Sequence, residues 1–144
     1  MNDPKMTADE LNLFLGDVFP QLAPKLTVEA VSRNYARTRM AINQSDLRPG
    51  GTVSGPSMFA LADCAFYAVT LAMIGPKALA VTTSCSINFM RKPKPHDIYA
   101  EARIMKLGKS LCVGDVHVFN LDCAEPVAHA SMTYAIPQEE NRVL

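Results

Sequence analysis

The chain has 144 residues, the length of one ordinary domain, and no repeat, low-complexity tract or linker divides it. Hydrophobic residues make up 49% and charged residues 19%, which excludes a disordered chain. The 14 Lys and Arg balance 14 Asp and Glu, which excludes bulk binding to nucleic acid or to an anionic membrane surface.

The first five residues, Met1 to Lys5, are polar, and no signal-peptide core follows them. Thr7-Ala-Asp-Glu10 has the form of a capping box. Leu11, Phe14, Leu15 and Val18 follow at helical spacing, so a short helix is predicted to end before Pro20. Leu26 to Asn43 alternates and is rich in β-branched residues, which predicts two strands with a turn near Ser32 to Asn34. Leu47 to Thr52 is a loop punctuated by Pro49, Gly50 and Gly51. Ser54 suits an N-cap and Pro56 a first helical position, so a second helix is predicted to run to about Ile74 and stop at Gly75-Pro76. Four strands are predicted after it: Ala78 to Met90, Ile98 to Leu107, Leu111 to Leu121 and Val127 to Ile136. The short links Gly108 to Ser110 and Asp122 to Pro126 imply antiparallel hairpins. An α+β arrangement satisfies this order: an antiparallel sheet curled around one long central helix.

The stretch from Pro56 to Ile74 approaches transmembrane length, yet it carries Asp63 at its centre, many alanines and a leading Pro. A helix enclosed by other elements is therefore expected, with no membrane partner. Asp63 is also the only charged residue between Pro49 and Pro76. Burying an unpaired carboxylate costs several kcal/mol, so the acid is expected to be either paired or at work in a pocket. Cys64, Cys85, Cys112 and Cys123 form no CxxC pair and lie in apolar segments, which fits reduced core residues of a cytoplasmic protein. His96 falls in a loop, while His117 and His129 fall in strands as candidate cross-strand neighbours. Two histidines without acids at suitable spacing make a poor metal site, so no metal is expected. Neither a phosphate-binding Gly-Lys-Ser/Thr loop nor a Gly-x-Ser-x-Gly elbow occurs.

Three segments carry a resemblance. Ser54-Gly55-Pro-Ser-Met-Phe-Ala-Leu-Ala-Asp63, Val81-Thr-Thr-Ser-Cys-Ser-Ile-Asn-Phe-Met-Arg91 and Gly108-Lys109-Ser110 resemble, in order and spacing, the PaaI-like acyl-CoA thioesterases of the hotdog fold. The likeness spans roughly residues 26–136. In that family a His-Gly-Gly turn opens the central helix, and an Asp follows eight residues after the first Gly. Gly55 and Asp63 have that spacing, whereas Ser54 replaces the His and Pro56 the second Gly. A shifted register using Gly50 or Gly51 makes the distance to Asp63 too long.

The resemblance implies a hotdog acyl-CoA hydrolase, with coenzyme A as part of the substrate and no separate cofactor. Asp63 is then the general base or the nucleophile. The Gly55 amide, at the positive end of the helix dipole, polarises the thioester carbonyl, with Ser54 and Ser57 beside it. The family also has a Ser or Thr that hydrogen-bonds the acid or the water; Thr82 has the matching position, with Thr83 and Ser84 as close rivals. The family's Asn before the turn corresponds to Asn43 or, by spacing, to Arg48. Arg91 and Lys92, next to Lys94, and the loop Lys109-Ser110 are candidates for contacts to coenzyme A phosphates. Met58, Phe59, Phe66, Phe89 and Met90 read as core, with a few available to line an acyl tunnel.

Eight helical residues span ~12 Å at ~1.5 Å each, so Gly55 and Asp63 of one helix do not reach the same carbonyl carbon. A second copy running antiparallel brings its Asp63 beside the first chain's Gly55. A homodimer or dimer of dimers with composite sites is therefore expected. Two other readings stand beside hydrolysis. A non-catalytic acyl-CoA-binding or scaffolding hotdog protein is consistent with the altered turn. A hotdog hydratase usually needs a His paired with an acid, and no His precedes Pro95.

Overall fold

The computed structural model describes residues 3–138, so Met1 and Asn2 of the polar leading stretch lie outside it. The elements are α1 (Ala8–Val18), β1 (Leu26–Ser32), β2 (Tyr35–Met40), α2 (Gly55–Ile74), β3 (Val81–Phe89), β4 (Ile98–Leu107), β5 (Leu111–Asn120) and β6 (Ala128–Ala135). The six strands form one antiparallel sheet in the order β1-β2-β4-β5-β6-β3. This is the hotdog fold, with α2 as its filling.

α1 starts at the expected capping box: the Thr7 hydroxyl accepts from the Glu10 amide while the Glu10 carboxylate accepts from the Thr7 amide. α2 is apolar on all sides because it is enclosed on nearly all sides. From Ala65 to Ile74 every residue is buried. By length and composition α2 would also span a bilayer, but 67% of its most apolar window is buried against the protein's own sheet and α1. Strand alternation supplies the other wall. Cys112, Val116 and Val118 of β5 point at α2, while Val113, Asp115, His117 and Phe119 lie half-exposed on the outer face. Gly114 sits where β5 passes under Phe66. A Cβ there would lie 2.1 Å from the Arg103 carbonyl oxygen and 2.8 Å from the Phe66 ring, so only glycine fits.

Three details depart from the sequence reading. The helix begins at Gly55, so Pro56 is its second residue. β3 begins at Val81, not Ala78, because the preceding residues close a turn, with the Ala80 amide bonded to the Lys77 carbonyl at 3.1 Å. Cys123 is exposed in the β5–β6 connection and does not join the core, as a residue in a tight link has no interior to face.

The chain crosses from α2 to the far edge of the sheet, so β3 pairs only with β6 among the described strands. Its other edge has no partner among the described strands, and the strand has exposed Val81 (55%) and Phe89 (49%) at its two ends.

Candidate active site

Asp63 lies at the middle of α2, one side of a cavity of about 440 Å³ that Phe19, Leu22, Phe59, Tyr67 and Val81 close with apolar surface. Its carboxylate is paired. The Thr82 hydroxyl donates to Oδ1 at 2.6 Å, and the Tyr134 hydroxyl donates to the same oxygen at 2.9 Å. Tyr134 also lies 3.0 Å from the Asp63 main-chain carbonyl, so its one proton is shared between two oxygens of the same residue. Oδ2 accepts from no described residue. One carboxylate oxygen is therefore clamped and the other is free at the cavity.

Sheet pairing explains why both hydroxyls converge. Thr82 and Tyr134 are directly opposed across the β3–β6 ladder, and a bulge follows at Thr83. The bulge also separates the three rival residues. Thr83 donates to the Thr133 carbonyl at 3.3 Å, and Ser84 is exposed opposite Thr133. Thr82 alone of the three reaches Asp63. The Tyr134 phenol is only 3% exposed. Burial, reinforced by the adjacent Asp63 charge, pushes its ionisation far above the ordinary tyrosine range, so it stays a neutral donor. Burial first and the Asp63 charge second push the Cys64 thiol up to about 12, which leaves it a poor nucleophile despite its place in the cavity.

The start of α2 is held separately. Gly50 and Gly51 take φ of +103° and +83° in a tight turn, and the helix opens at Gly55. Ser54 caps the helix: its hydroxyl accepts from the Ser57 amide at 3.3 Å and its carbonyl from the Met58 amide at 3.1 Å. Pro56 has no N–H. The Gly55 amide is thus the one first-turn donor with no acceptor among the described residues. It faces a second cavity, about 450 Å³, that is also lined by Arg48, Met58, Phe89, Arg91 and Lys92. The Phe89 ring lies 3.5 Å from where a Gly55 Cβ would stand.

Asp46, which sequence reasoning missed, braces this turn. It is 5% exposed and accepts from the Ser57 hydroxyl at 2.8 Å, the Asn43 amide at 2.9 Å and the Lys25 ammonium. Burial would raise its pKa, but the Lys25, Asn43 and Ser57 contacts outweigh burial and hold it below the ordinary carboxylate value. Asn43 is engaged locally, its side-chain oxygen accepting from the Ser45 amide and hydroxyl at 2.9 and 2.6 Å.

Of the basic candidates, Arg48, Arg91 and Lys92 gather at the Gly55 cavity. Arg91 is braced there by the Pro126 carbonyl at 2.6 Å. Lys109 lies elsewhere in the same chain, in a depression beside Met73 and Ile74 at the opposite end of α2, and Ser110 spends its carbonyl on the Ile136 amide at 2.8 Å. Gly55 and Asp63 line separate cavities, as their spacing along one helix requires.

Residues 50–127 match the family described as the thioesterase superfamily. The chain belongs to that superfamily. A crystal structure from a Silicibacter species, put forward as a thioesterase, is 46% identical, covers 94% of each chain and superposes with a TM-score of 0.87. Zebrafish thioesterase superfamily member 2, at 18% identity, covers 92% of this chain and all of its own, with a TM-score of 0.80; it shares the fold. The Escherichia coli PaaI protein of the phenylacetic acid degradation operon shares it too, at 21% identity, 83% of each chain and a TM-score of 0.69. A Saccharolobus solfataricus protein named as a candidate esterase is 28% identical over 96% of this chain and 91% of its own. Superfamily membership, with the Silicibacter and Saccharolobus relatives, supports thioester hydrolysis in general. Hotdog thioesterases are typically oligomeric.

Proposed function

We propose that this thioesterase-superfamily chain hydrolyses acyl-CoA thioesters to a free acid and coenzyme A, with Asp63 as the reacting carboxylate. The observation that carries the proposal is the one-sided clamp on Asp63. Two hydroxyls on Oδ1 fix the carboxylate plane, leaving Oδ2 to act in an apolar cavity. As a base, Oδ2 takes a proton from water while the water oxygen bonds to the thioester carbon. The oxyanion that forms is met by the Gly55 N–H of a helix N-terminus. Collapse breaks the carbon–sulfur bond, and the coenzyme A thiolate leaves with the proton. As a nucleophile, Oδ2 bonds to the carbon directly and the carbon–sulfur bond breaks, so the coenzyme A thiolate leaves; water then cleaves the resulting anhydride, restoring the carboxylate and supplying the proton that the thiolate takes up. The clamp serves either route.

The two halves meet only across a dimer. The edge of β3 left without a partner among the described strands, with exposed Val81 and Phe89 at its ends, is suited to pairing with a second copy, and pairing would bring one chain's Asp63 cavity against the other's Gly55 cavity. Arg48, Arg91 and Lys92 would then meet the phosphates of coenzyme A at the rim.

A panel of short, long and aromatic acyl-CoAs, read by release of the coenzyme A thiol, tests the substrate class. Hydrolysis of at least one is expected. Tight acyl-CoA binding with no turnover across the panel would favour the scaffolding reading instead. Subunit mixing tests the composite site. Asp63→Asn and Gly55→Val proteins, each inactive alone, should regain part of the wild-type rate when co-refolded. Mixtures that stay inactive while mixed dimers form would contradict the shared site.

A further inference from the structure

On the sheet face away from α2, His117 and His129 are directly opposed across the β5–β6 ladder, with ring centroids 4.6 Å apart. Asp115 lies two residues before His117 on the same strand, so it projects from the same face. Its Oδ2 is 3.0 Å from His129 Nε2. One ligand atom from each of the three residues can be chosen so that all lie within 4.8 Å of one another. Strand alternation thus supplies the acid that the two histidines lack by spacing along the chain alone.

We infer that Asp115, His117 and His129 form a site for one late first-row divalent ion, best matched by Zn²⁺. Two imidazoles and a carboxylate are an N₂O set suited to zinc, cobalt, nickel or copper and poorly suited to calcium or magnesium. A tetrahedral ion with bonds of about 2.0–2.1 Å needs ligand atoms about 3.3–3.5 Å apart. The Asp115–His129 pair is already at 3.0 Å, and a ring nitrogen of His117 lies within 4.8 Å of a ligand atom of each. All three side chains are half-buried, which limits their rotamer freedom while leaving a path for the ion.

The surroundings hold the set in place. Phe119, two residues on, flanks His117 at 6.4 Å and is itself stacked on Tyr99 at 5.0 Å. Glu101 of β4 is opposite His117 on its other side, but it accepts from the Tyr35 hydroxyl at 3.1 Å and lies 3.5 Å from Arg103. Arg103, the one cation opposite Asp115 on β4, turns toward Glu101 and sits over the Tyr35 ring at 4.9 Å, leaving Asp115 to His129. Three protein ligands leave a fourth position for water. The ion would tie β5 to β6 from outside, on the face opposite the cavity of Asp63, so the inference stands or falls independently of the hydrolysis proposal.

The test is a calorimetric titration of the full-length, chelator-treated protein with zinc chloride, repeated with cobalt chloride to read the visible bands of a four-coordinate site. One ion per chain is expected, with a rise in melting temperature, because the ion binds the folded form. His117→Gln and His129→Gln should each weaken binding by at least about tenfold, and Asp115→Asn should too. Circular dichroism of each variant checks that the sheet is intact. Absence of saturable binding would show a His129–Asp115 hydrogen bond only. Binding that survives both histidine substitutions, or that vanishes with Cys123→Ser at the exposed thiol, would equally overturn the assignment.

Discussion

Tyr134→Phe tests the clamp with the smallest possible change. It deletes one hydroxyl and leaves the ring, whose neighbours Phe66 and Tyr67 are at centroid distances of 5.6 and 6.1 Å. The lost bond runs to a carboxylate, and such bonds are worth about 1.5–3 kcal/mol. Thr82 still holds Oδ1 at 2.6 Å, so the carboxylate is loosened and not released. With each 1.36 kcal/mol worth about tenfold in rate, kcat should fall by about 10- to 100-fold. KM should move little, because the hydroxyl points at Asp63 and not into the cavity. Stability should fall by up to the same about 1.5–3 kcal/mol, the net worth of a hydrogen bond to a charged group. The assay is steady-state hydrolysis of the best acyl-CoA, with urea unfolding alongside. Because Thr82 and Tyr134 share one acceptor oxygen, Thr82→Val and Tyr134→Phe should be non-additive in kcat. Full kcat in Tyr134→Phe, or strict additivity of the pair, would refute the clamp.

Other outcomes follow from the same contacts. Gly114→Ala should fail to fold or lose about 3 kcal/mol or more, since the new methyl meets backbone on one side and the Phe66 ring on the other; a melting curve reads this directly. Gly55→Ala should fold well and keep its melting temperature, because a Cβ there makes ordinary contact with Phe89, and it keeps the N–H, so activity should persist within several-fold. Asp46→Asn should cost about 1–3 kcal/mol in urea unfolding through its weakened contacts to Lys25, Asn43 and Ser57. Asp46 has a depressed folded pKa, so its contribution is present above the unfolded carboxylate value and is lost as pH falls through the folded one. The wild type should therefore lose more stability than Asp46→Asn on acidification below about pH 4. Val81→Arg on the exposed edge of β3 should shift the chain toward monomer in sedimentation and reduce activity in parallel.

Most of the fold was legible because each element carries its own local signal. The apolar run with a Ser54 cap and a Gly75 stop could only be one long helix, and the alternation of β4 to β6 could only be strands with one buried face. Asp63 stood out for the same reason: a charge in an apolar run needs an explanation. Its partners divide by how far the information travels. Thr82 was within reach because the family likeness of the strand after the helix points to a hydroxyl at that position, with Thr83 and Ser84 as rivals. Tyr134 was not, since it meets Asp63 only because the last strand lies beside β3, a pairing set by sheet topology and not by any motif. Asp46 was hidden similarly, in a loop whose sequence looks ordinary until it folds back on Lys25 and Ser57. The choice among Thr82, Thr83 and Ser84 rested on a bulge, which shifts the register by one residue and has no marker in the chain.

The central claim is that the Asp63 carboxylate carries out the hydrolysis. Replacing it by Asn keeps the size, and the amide oxygen can still accept from Thr82 and Tyr134, so the fold should hold. The measurement is the hydrolysis rate of purified wild type and Asp63→Asn on the best acyl-CoA, at matched oligomeric state. The account expects a loss of about 10²- to 10⁴-fold in kcat with acyl-CoA binding retained. An Asp63→Asn protein that hydrolyses acyl-CoA as fast as the wild type would contradict it.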